Sequence, residues 1–251
     1  MFVHWADVQA ENHKLPNHRQ CVAVSGNFMR TILLTLLLFN LTTLTVAQKH
    51  SLDTTFKINK QVLQVSADDI DSKFVLLKSS YASQIALCDT IDAVGLANIE
   101  FPDINNDSYP DILITYFGNN PTYFLYLFDY TTKHYKSIAD YMNYPDAVQL
   151  KSNRKYYYSY YRGGCADMNW GSDLFKIVDY KIIKVGHIDA QGCDFEKEKY
   201  PQIIRVFRVI NNDKKMENLI TKLSYEKTLK KFDNKWKFLD KYWNQNLKNF
   251  D

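Results

Sequence analysis

Asp103, Asn105, Asp107 and Asp111 put oxygen-bearing side chains at positions one, three, five and nine of the stretch Asp103-Ile-Asn-Asn-Asp-Ser-Tyr-Pro-Asp111. The backbone carbonyl of Tyr109 stands at position seven. Ca²⁺ is a hard cation that takes six to eight oxygens in flexible geometry, and a tight loop whose alternate side chains turn inward supplies them. The expected ligand set is therefore Asp103, Asn105, Asp107, Tyr109 through its carbonyl, and Asp111. An EF-hand would need a Glu at position twelve and a helix after the loop. Here the twelfth residue is Ile114, inside the β-rich run from Asp111 to Phe117. The competing reading is an Asx-rich turn, in which Asn and Asp cap their own backbone without a metal.

At these residues the chain resembles the single calcium loops of FG-GAP and VCBS-type repeats, with the pattern Asp-x-Asp/Asn-x-Asp-Gly-x-x-Asp, on turns of β-propellers and related sheets. The match departs at Ser108, where that family has Gly. A non-Gly residue is strained there if the turn demands a positive φ.

The elements that would hold such a loop read as β. Aromatics make up 15% of the chain, including 18 Tyr, and aromatic side chains favour pleated, half-buried surfaces. Strands are expected over Lys57–Val65 and Phe74–Ser79, with a polar connection over Ala67–Ser72. After the loop, Ile112, Ile114 and Tyr116 share one strand face while Leu113, Thr115 and Phe117 share the other. Both faces are largely apolar, which predicts a central strand. Thr122–Phe128 and His134–Ile138 flank a turn and predict a hairpin. Further strands are expected at Lys155–Tyr161, Leu174–Val178, Lys181–Val185 and Gln202–Ile210. Met216, Leu219, Ile220 and Leu223 have helical spacing, although a strand also accommodates them. A tight turn at Phe232–Trp236 precedes an expected last strand, Trp236–Trp243. One mainly β, antiparallel domain follows, propeller-like or sandwich-like, with room for one short C-terminal helix.

The N-terminal part predicts an address. Residues 29–47 run from Met29-Arg30 through an apolar stretch to Thr45 and Ala47, the layout of a secretory signal peptide with Gln48 as the mature start. Residues 1–28 read as an upstream extension and residues 48–251 as a single β-rich domain. The apolar run is too short and threonine-rich for a membrane span, so the expected location is secreted or periplasmic.

Export makes disulfides possible. Cys165 and Cys193 each follow a glycine-containing turn and could bridge the ends of a hairpin. Cys88, preceded by Ile85, Ala86 and Leu87, reads as a buried thiol. Asp167, Asn169 and Asp173 lie in a loop between the paired cysteines and could give oxygens to a cation, but a structured, disulfide-pinned loop is the simpler reading.

Other chemistry is sparse. A net charge of +3 and the lack of a basic stripe interleaved with aromatics argue against nucleic acid. The lysines of the C-terminal third are interspersed with carboxylates and read as a solvated face. No Gly-x-Ser-x-Gly, Cys-x-x-Cys or phosphate-binding glycine loop occurs. His187 reads as a surface residue. Asp189, Asp194, Glu196 and Glu198 cluster in sequence, and only their spacing in the fold would make them a glycosidase pair. The tyrosines of Lys155–Tyr161, Tyr158 and Tyr160 among them, could form a platform for a glycan or a protein. Their plainer role is in an ordinary packed strand.

The signal peptide, single calcium loop, aromatic-rich β domain and paired-cysteine hairpin together resemble a group of bacterial periplasmic proteins. Some of these are related to periplasmic inhibitors of invertebrate-type lysozyme and act as immunity proteins against peptidoglycan hydrolases. The resemblance covers about residues 90–245 and implies an exported, calcium-binding, non-enzymatic protein with a protein partner, a cell-wall hydrolase among the candidates. The alternative is a carbohydrate-binding or adhesion module. The resemblance transfers no inhibitory residue.

Overall fold

The structure, a computed structural model, describes residues 51–210 and 213–250. The expected extension (1–28) and signal peptide (29–47) lie outside these residues. The chain forms three antiparallel sheets and a C-terminal helical layer. The first sheet is a meander of β1 (Ser51–Ile58), β2 (Gln61–Asp69), β3 (Phe74–Tyr81) and β4 (Gln84–Asp92). The second repeats that plan with β5 (Leu96–Glu100), β6 (Ile112–Tyr116), β7 (Thr122–Asp129) and β8 (His134–Ser137). The third contains β9 (Val148–Gln149), β10 (Tyr156–Tyr158), β11 (Tyr161–Gly164), β12 (Asn169–Val178), β13 (Lys181–Gln191), β14 (Ile203–Ile210) and β15 (Asp213–Ser224). Its order is β15-β14-β13-β12-β10-β9, with β11 paired to β12. Helices α1 (Tyr225–Phe232) and α2 (Lys235–Asn246) close the described chain.

Alternation along the strands explains the stacking, because successive side chains leave a strand on opposite faces. In the second sheet Ile112, Ile114, Tyr126 and Phe128 point into a core shared with Leu63, Val65, Val75 and Leu77 of the first sheet. Leu113, Leu125 and Leu127 point the other way, towards Tyr157, Phe175 and Ile182 of the third sheet. The second sheet is thus buried on both faces, as the two-sided apolar pattern of β6 requires. The third sheet turns Trp170, Leu174, Ile188, Ile204 and Val206 towards Phe238, Leu239 and Trp243 of α2. The layers therefore run sheet, sheet, sheet, helices, and among the described residues no sheet closes into a barrel.

Several local expectations change. Lys57–Val65 is not one strand but the turn of a hairpin, with Asn59 and Lys60 at φ 48° and 66°. Such mirror-image two-residue turns match strand twist, and Asn tolerates the left-handed region. The 216–223 segment is strand β15, paired with β14, because cross-strand pairing outweighs its helical spacing. The expected last strand is helix α2. Asn234 caps it by accepting from the Lys237 N–H at 2.9 Å, and Phe238, Leu239, Tyr242 and Trp243 recur at helical intervals. Cys88 is half-buried on β4 and is not a free thiol. Among the described residues no helix is long and apolar enough to cross a membrane.

Phe238 is fully buried between the third sheet and the helices, against Trp170, Phe232 and Tyr242. Phe238→Ala should cost about 3–5 kcal/mol through lost burial and the cavity it leaves. Urea unfolding checks this, and a midpoint equal to that of the wild type would show that the helical layer contributes no core.

Candidate functional site

The nine-residue loop joins β5 to β6 along an edge of the middle sheet. Its side chains fold inward onto their own backbone. Asp103 accepts from the N–H of Asp107 and of Ser108, both at 3.0 Å. Asn105 Oδ1 accepts from Asp107 N–H at 3.2 Å, and its amide donates to Asp107 Oδ2 at 2.8 Å. Asp107 Oδ1 in turn accepts from Tyr109 N–H at 2.8 Å. Asn106 and Ser108 take φ of 62° and 70°. The place where Ser stands for Gly is thus left-handed, and Ser108 carries the strain that its identity implies.

Asp111 differs from the others. It is 0% exposed, whereas Asp103, Asn105 and Asp107 face solvent. One carboxylate oxygen accepts from Ile104 N–H at 2.8 Å and the other from Phe128 N–H on β7 at 3.0 Å. Burial disfavours its charge and pushes its pKa up to about 7. The two backbone donors oppose that shift, and the negative charges of Asp107 and Asp103 add to it. A cation in the loop would oppose that shift, because an adjacent positive charge favours the ionised carboxylate.

The loop also ties the layers together. Phe101 and Tyr109 pack into the core between the first two sheets, while Ile104 packs into the core between the second and third. The Ile104 carbonyl accepts from the Tyr157 hydroxyl of β10 and from the Gln149 amide of β9, the latter at 3.3 Å. Tyr109 stacks on Phe128 at 5.1 Å, and Tyr135 donates to the Pro110 carbonyl at 2.8 Å.

The structure therefore brings Asp103, Asn105, Asp107 and Asp111 into one loop. Their donor type and excess negative charge suit a hard cation. Among the described residues, however, no group of three or more His, Cys, Asp or Glu side chains is arranged to hold a metal. The oxygens of Asp103 and Asp111 are turned to backbone N–H groups, as the Asx-turn reading requires. Each carboxylate oxygen has a second lone pair, and calcium would draw on those, on Asn105 and on the Tyr109 carbonyl.

The paired cysteines behave as expected. Cys165 and Cys193 form a disulfide that joins the turn before β12 to the loop after β13. Asn169 Oδ1 supports it by accepting from the N–H of Gly192 at 3.0 Å and of Cys193 at 3.1 Å. The other oxygens of that loop are engaged elsewhere. Asp167 pairs with Lys235 and accepts from the Tyr160 hydroxyl. Asp173 accepts from or pairs with His187 at 2.7 Å and Lys184 at 2.8 Å.

That Asp173–His187 pair was not visible in the sequence. His187 is not a surface residue; its ring is mostly buried and stacks on Phe207 at 5.8 Å. The signal lay in strand register, since Asp173 and His187 face each other across β12 and β13. Lys184 and His187 hold the Asp173 carboxyl below the usual range against the opposing effect of burial. Ser159 lies beside the pair, but its hydroxyl is fully buried and accepts from Asp173 N–H. Three of the four clustered carboxylates find separate partners: Asp189 pairs with Arg205, Asp194 accepts from Gln202, and Glu196 accepts from Asn169. Tyr156, Tyr157, Tyr158 and Tyr160 are all buried. The expected Lys155–Tyr161 strand is broken at Ser159: Tyr156, Tyr157 and Tyr158 pack within β10, while Tyr160 lies in the connection to β11 against Trp170 and Trp236.

No known family model matches the chain, and no curated protein matches it significantly. A solved structure described as that of a Xanthomonas Type IV Secretion System related protein is similar at 14% identity, with a TM-score of 0.42. The match covers 67% of this chain and 93% of that one.

Asp111 sets a pH dependence whose sign follows from its raised pKa. A folded-state value of about 7 against an ordinary 3.8 means that the folded protein binds the proton more tightly. The stability this contributes is present below about pH 4 and is lost as pH rises to about 7, by a few kcal/mol at most. In chelator, the melting temperature of the wild type should therefore fall from pH 5 to pH 8 more steeply than that of Asp111→Asn. Parallel profiles would show that Asp111 is not the titrating group.

Proposed function

We propose that this chain is an exported, calcium-binding, non-enzymatic domain that binds another protein, with cell-wall hydrolases as the first partner class to test. The observation that carries the calcium reading is Asp111: a fully buried carboxylate, backed by two further carboxylates, in a loop of hard oxygen donors. Calcium's role is structural. It neutralises Asp103, Asp107 and Asp111, and so fixes the entrance to β6 and the contacts of Ile104 with the third sheet. The disulfide supports the export reading.

Two exposed aromatics support the protein-binding reading. Phe195 is 91% exposed on a short turn, Asp194–Glu196, which follows directly on the disulfide. Phe117 is 79% exposed at the start of the β6–β7 loop, directly after β6. That loop is held by Phe117 N–H donating to the Gly95 carbonyl at 2.8 Å and by Arg162 N–H donating to Asn120 Oδ1 at 3.0 Å. Leaving a Phe side chain in water forgoes about 1.5–3 kcal/mol. An aromatic held out on a braced loop loses little entropy on docking, which suits it to anchor an interface.

Against catalysis, the Asp173–His187 pair is bound to Lys184, and the hydroxyl beside it is buried. The tyrosine-rich strand likewise gives the carbohydrate alternative no support.

Asp107→Ala should lower the melting temperature in millimolar calcium and change it little in chelator. Equal losses in both conditions would contradict a calcium role. For the partner, immobilised protein should retain a peptidoglycan hydrolase from periplasmic or secreted extract and inhibit it once purified. Phe195→Ser or Phe117→Ser should weaken retention at least about tenfold while leaving the melting temperature unchanged. Turnover of peptidoglycan by the protein itself would overturn the non-enzymatic reading.

A further inference from the structure

The C-terminal lysines do not mix evenly with carboxylates once the chain is folded. On α1, Lys227, Lys230 and Lys231 are exposed and fall within one arc of the helix, while Thr228, Leu229 and Phe232 face inward. On α2, Lys237 and Lys241 stand one turn apart on the exposed side, opposite Phe238, Leu239 and Trp243. The Nζ atoms of Lys231 and Lys241 both lie 5.6 Å from the Phe232 ring centroid, so the basic arcs of the two helices meet in one surface. Among the described residues its exposed carboxylates are Glu226 and Asp233, and Asp233 pairs with Lys237 at 2.7 Å. Asp240, at the margin, pairs with Lys151 at 3.0 Å. Five lysines against two carboxylates leave the outer face of the helical layer distinctly positive.

Two features point to the kind of anion. Residues 222–251 contain no arginine. Arginine is the residue for planar, bidentate recognition of discrete phosphates and carboxylates, whereas lysine acts as a mobile point charge. The second feature is Trp236, which is 48% exposed on the first turn of α2, about 100° around the helix from Lys237 and so at the rim of the basic face. One side of its ring rests on Tyr160 at 4.1 Å. An indole with an apolar body and a polar N–H favours the boundary between lipid headgroups and acyl chains.

We propose that the outer face of α1 and α2 is a peripheral docking surface for an anionic phospholipid bilayer, with Lys227, Lys230, Lys231 and Lys241 supplying diffuse attraction and Trp236 entering the interface. This surface is separate from the calcium loop, and its test does not depend on calcium. The lysines are exposed, and Lys231 and Lys241 touch the core only at the rim of Phe232, so their replacement by the similarly long Gln leaves folding intact.

The full chain is sedimented with sucrose-loaded vesicles of phosphatidylcholine, with and without about one third phosphatidylglycerol. Binding is expected only with the anionic lipid and is expected to be lost at 0.5 M salt, because screening shortens the reach of each charge. Each lysine neutralised near such a surface weakens binding about fivefold, so Lys230→Gln/Lys231→Gln/Lys241→Gln should weaken it roughly a hundredfold. Trp236→Ala should weaken binding without changing its salt dependence. Equal binding to neutral vesicles, or anionic binding unchanged in the triple variant, would overturn the proposal. Retention on polyglutamate with none on anionic vesicles would also overturn it, in favour of an acidic protein.

Discussion

The buried carboxylate of Asp111 is the constraint on which the layered arrangement depends. It sits at the start of β6 and accepts from backbone donors on two other segments, Ile104 in the loop and Phe128 on β7. Those two bonds decide where the loop lies against the middle sheet. The loop then reaches both faces of that sheet, placing Phe101 and Tyr109 in one core and Ile104 in the other. A side chain that is charged in water and buried in the fold is a weak point unless something compensates it. Two hydrogen bonds do so in part, and a raised pKa marks the remainder. On the proposed reading, Ca²⁺ supplies the rest.

The same logic separates this carboxylate from Asp173. Both are buried. Asp173 has Lys184 and His187 beside it and stays below the ordinary carboxylate range, while Asp111, among the described residues, has dipoles and like charges beside it and rises above that range. Among the described residues one site is electrostatically complete and the other is not. Burial together with missing positive charge makes the loop the functional candidate; Asp173, which is equally buried but paired, is a structural element of the third sheet.

Much of this was legible in the chain. The alternation around β6, apolar on both faces, required a sheet covered twice, and the second sheet is so covered. The glycine turns before Cys165 and Cys193 marked the ends of the β12–β13 hairpin that the disulfide closes. What failed had physical causes. Turns such as Asn59-Lys60, Ala82-Ser83 and Asp179-Tyr180 adopt positive φ without glycine, so the sequence carries a weaker mark of the chain reversal. In β15, helical spacing lost to pairing with β14. In α2, the turn at Phe232–Trp236 suggested a following strand, while the Asn234 cap and the spacing of Phe238, Leu239, Tyr242 and Trp243 favoured a helix. The Asp173–His187 pair needed cross-strand register, which residue types alone do not supply. The lysine face needed knowledge that 225–246 is helical, since only helical periodicity gathers those charges on one side.

The most direct test of the central claim is calorimetric titration of metal-stripped protein with Ca²⁺ near pH 6.5, in two buffers of different ionisation enthalpy. One site per chain is expected, with a buffer-dependent heat, because calcium would displace a proton from Asp111. In Asp111→Asn that buffer dependence should disappear. An absence of binding heat at millimolar Ca²⁺ in both buffers would contradict the account and leave the loop as a metal-free Asx turn.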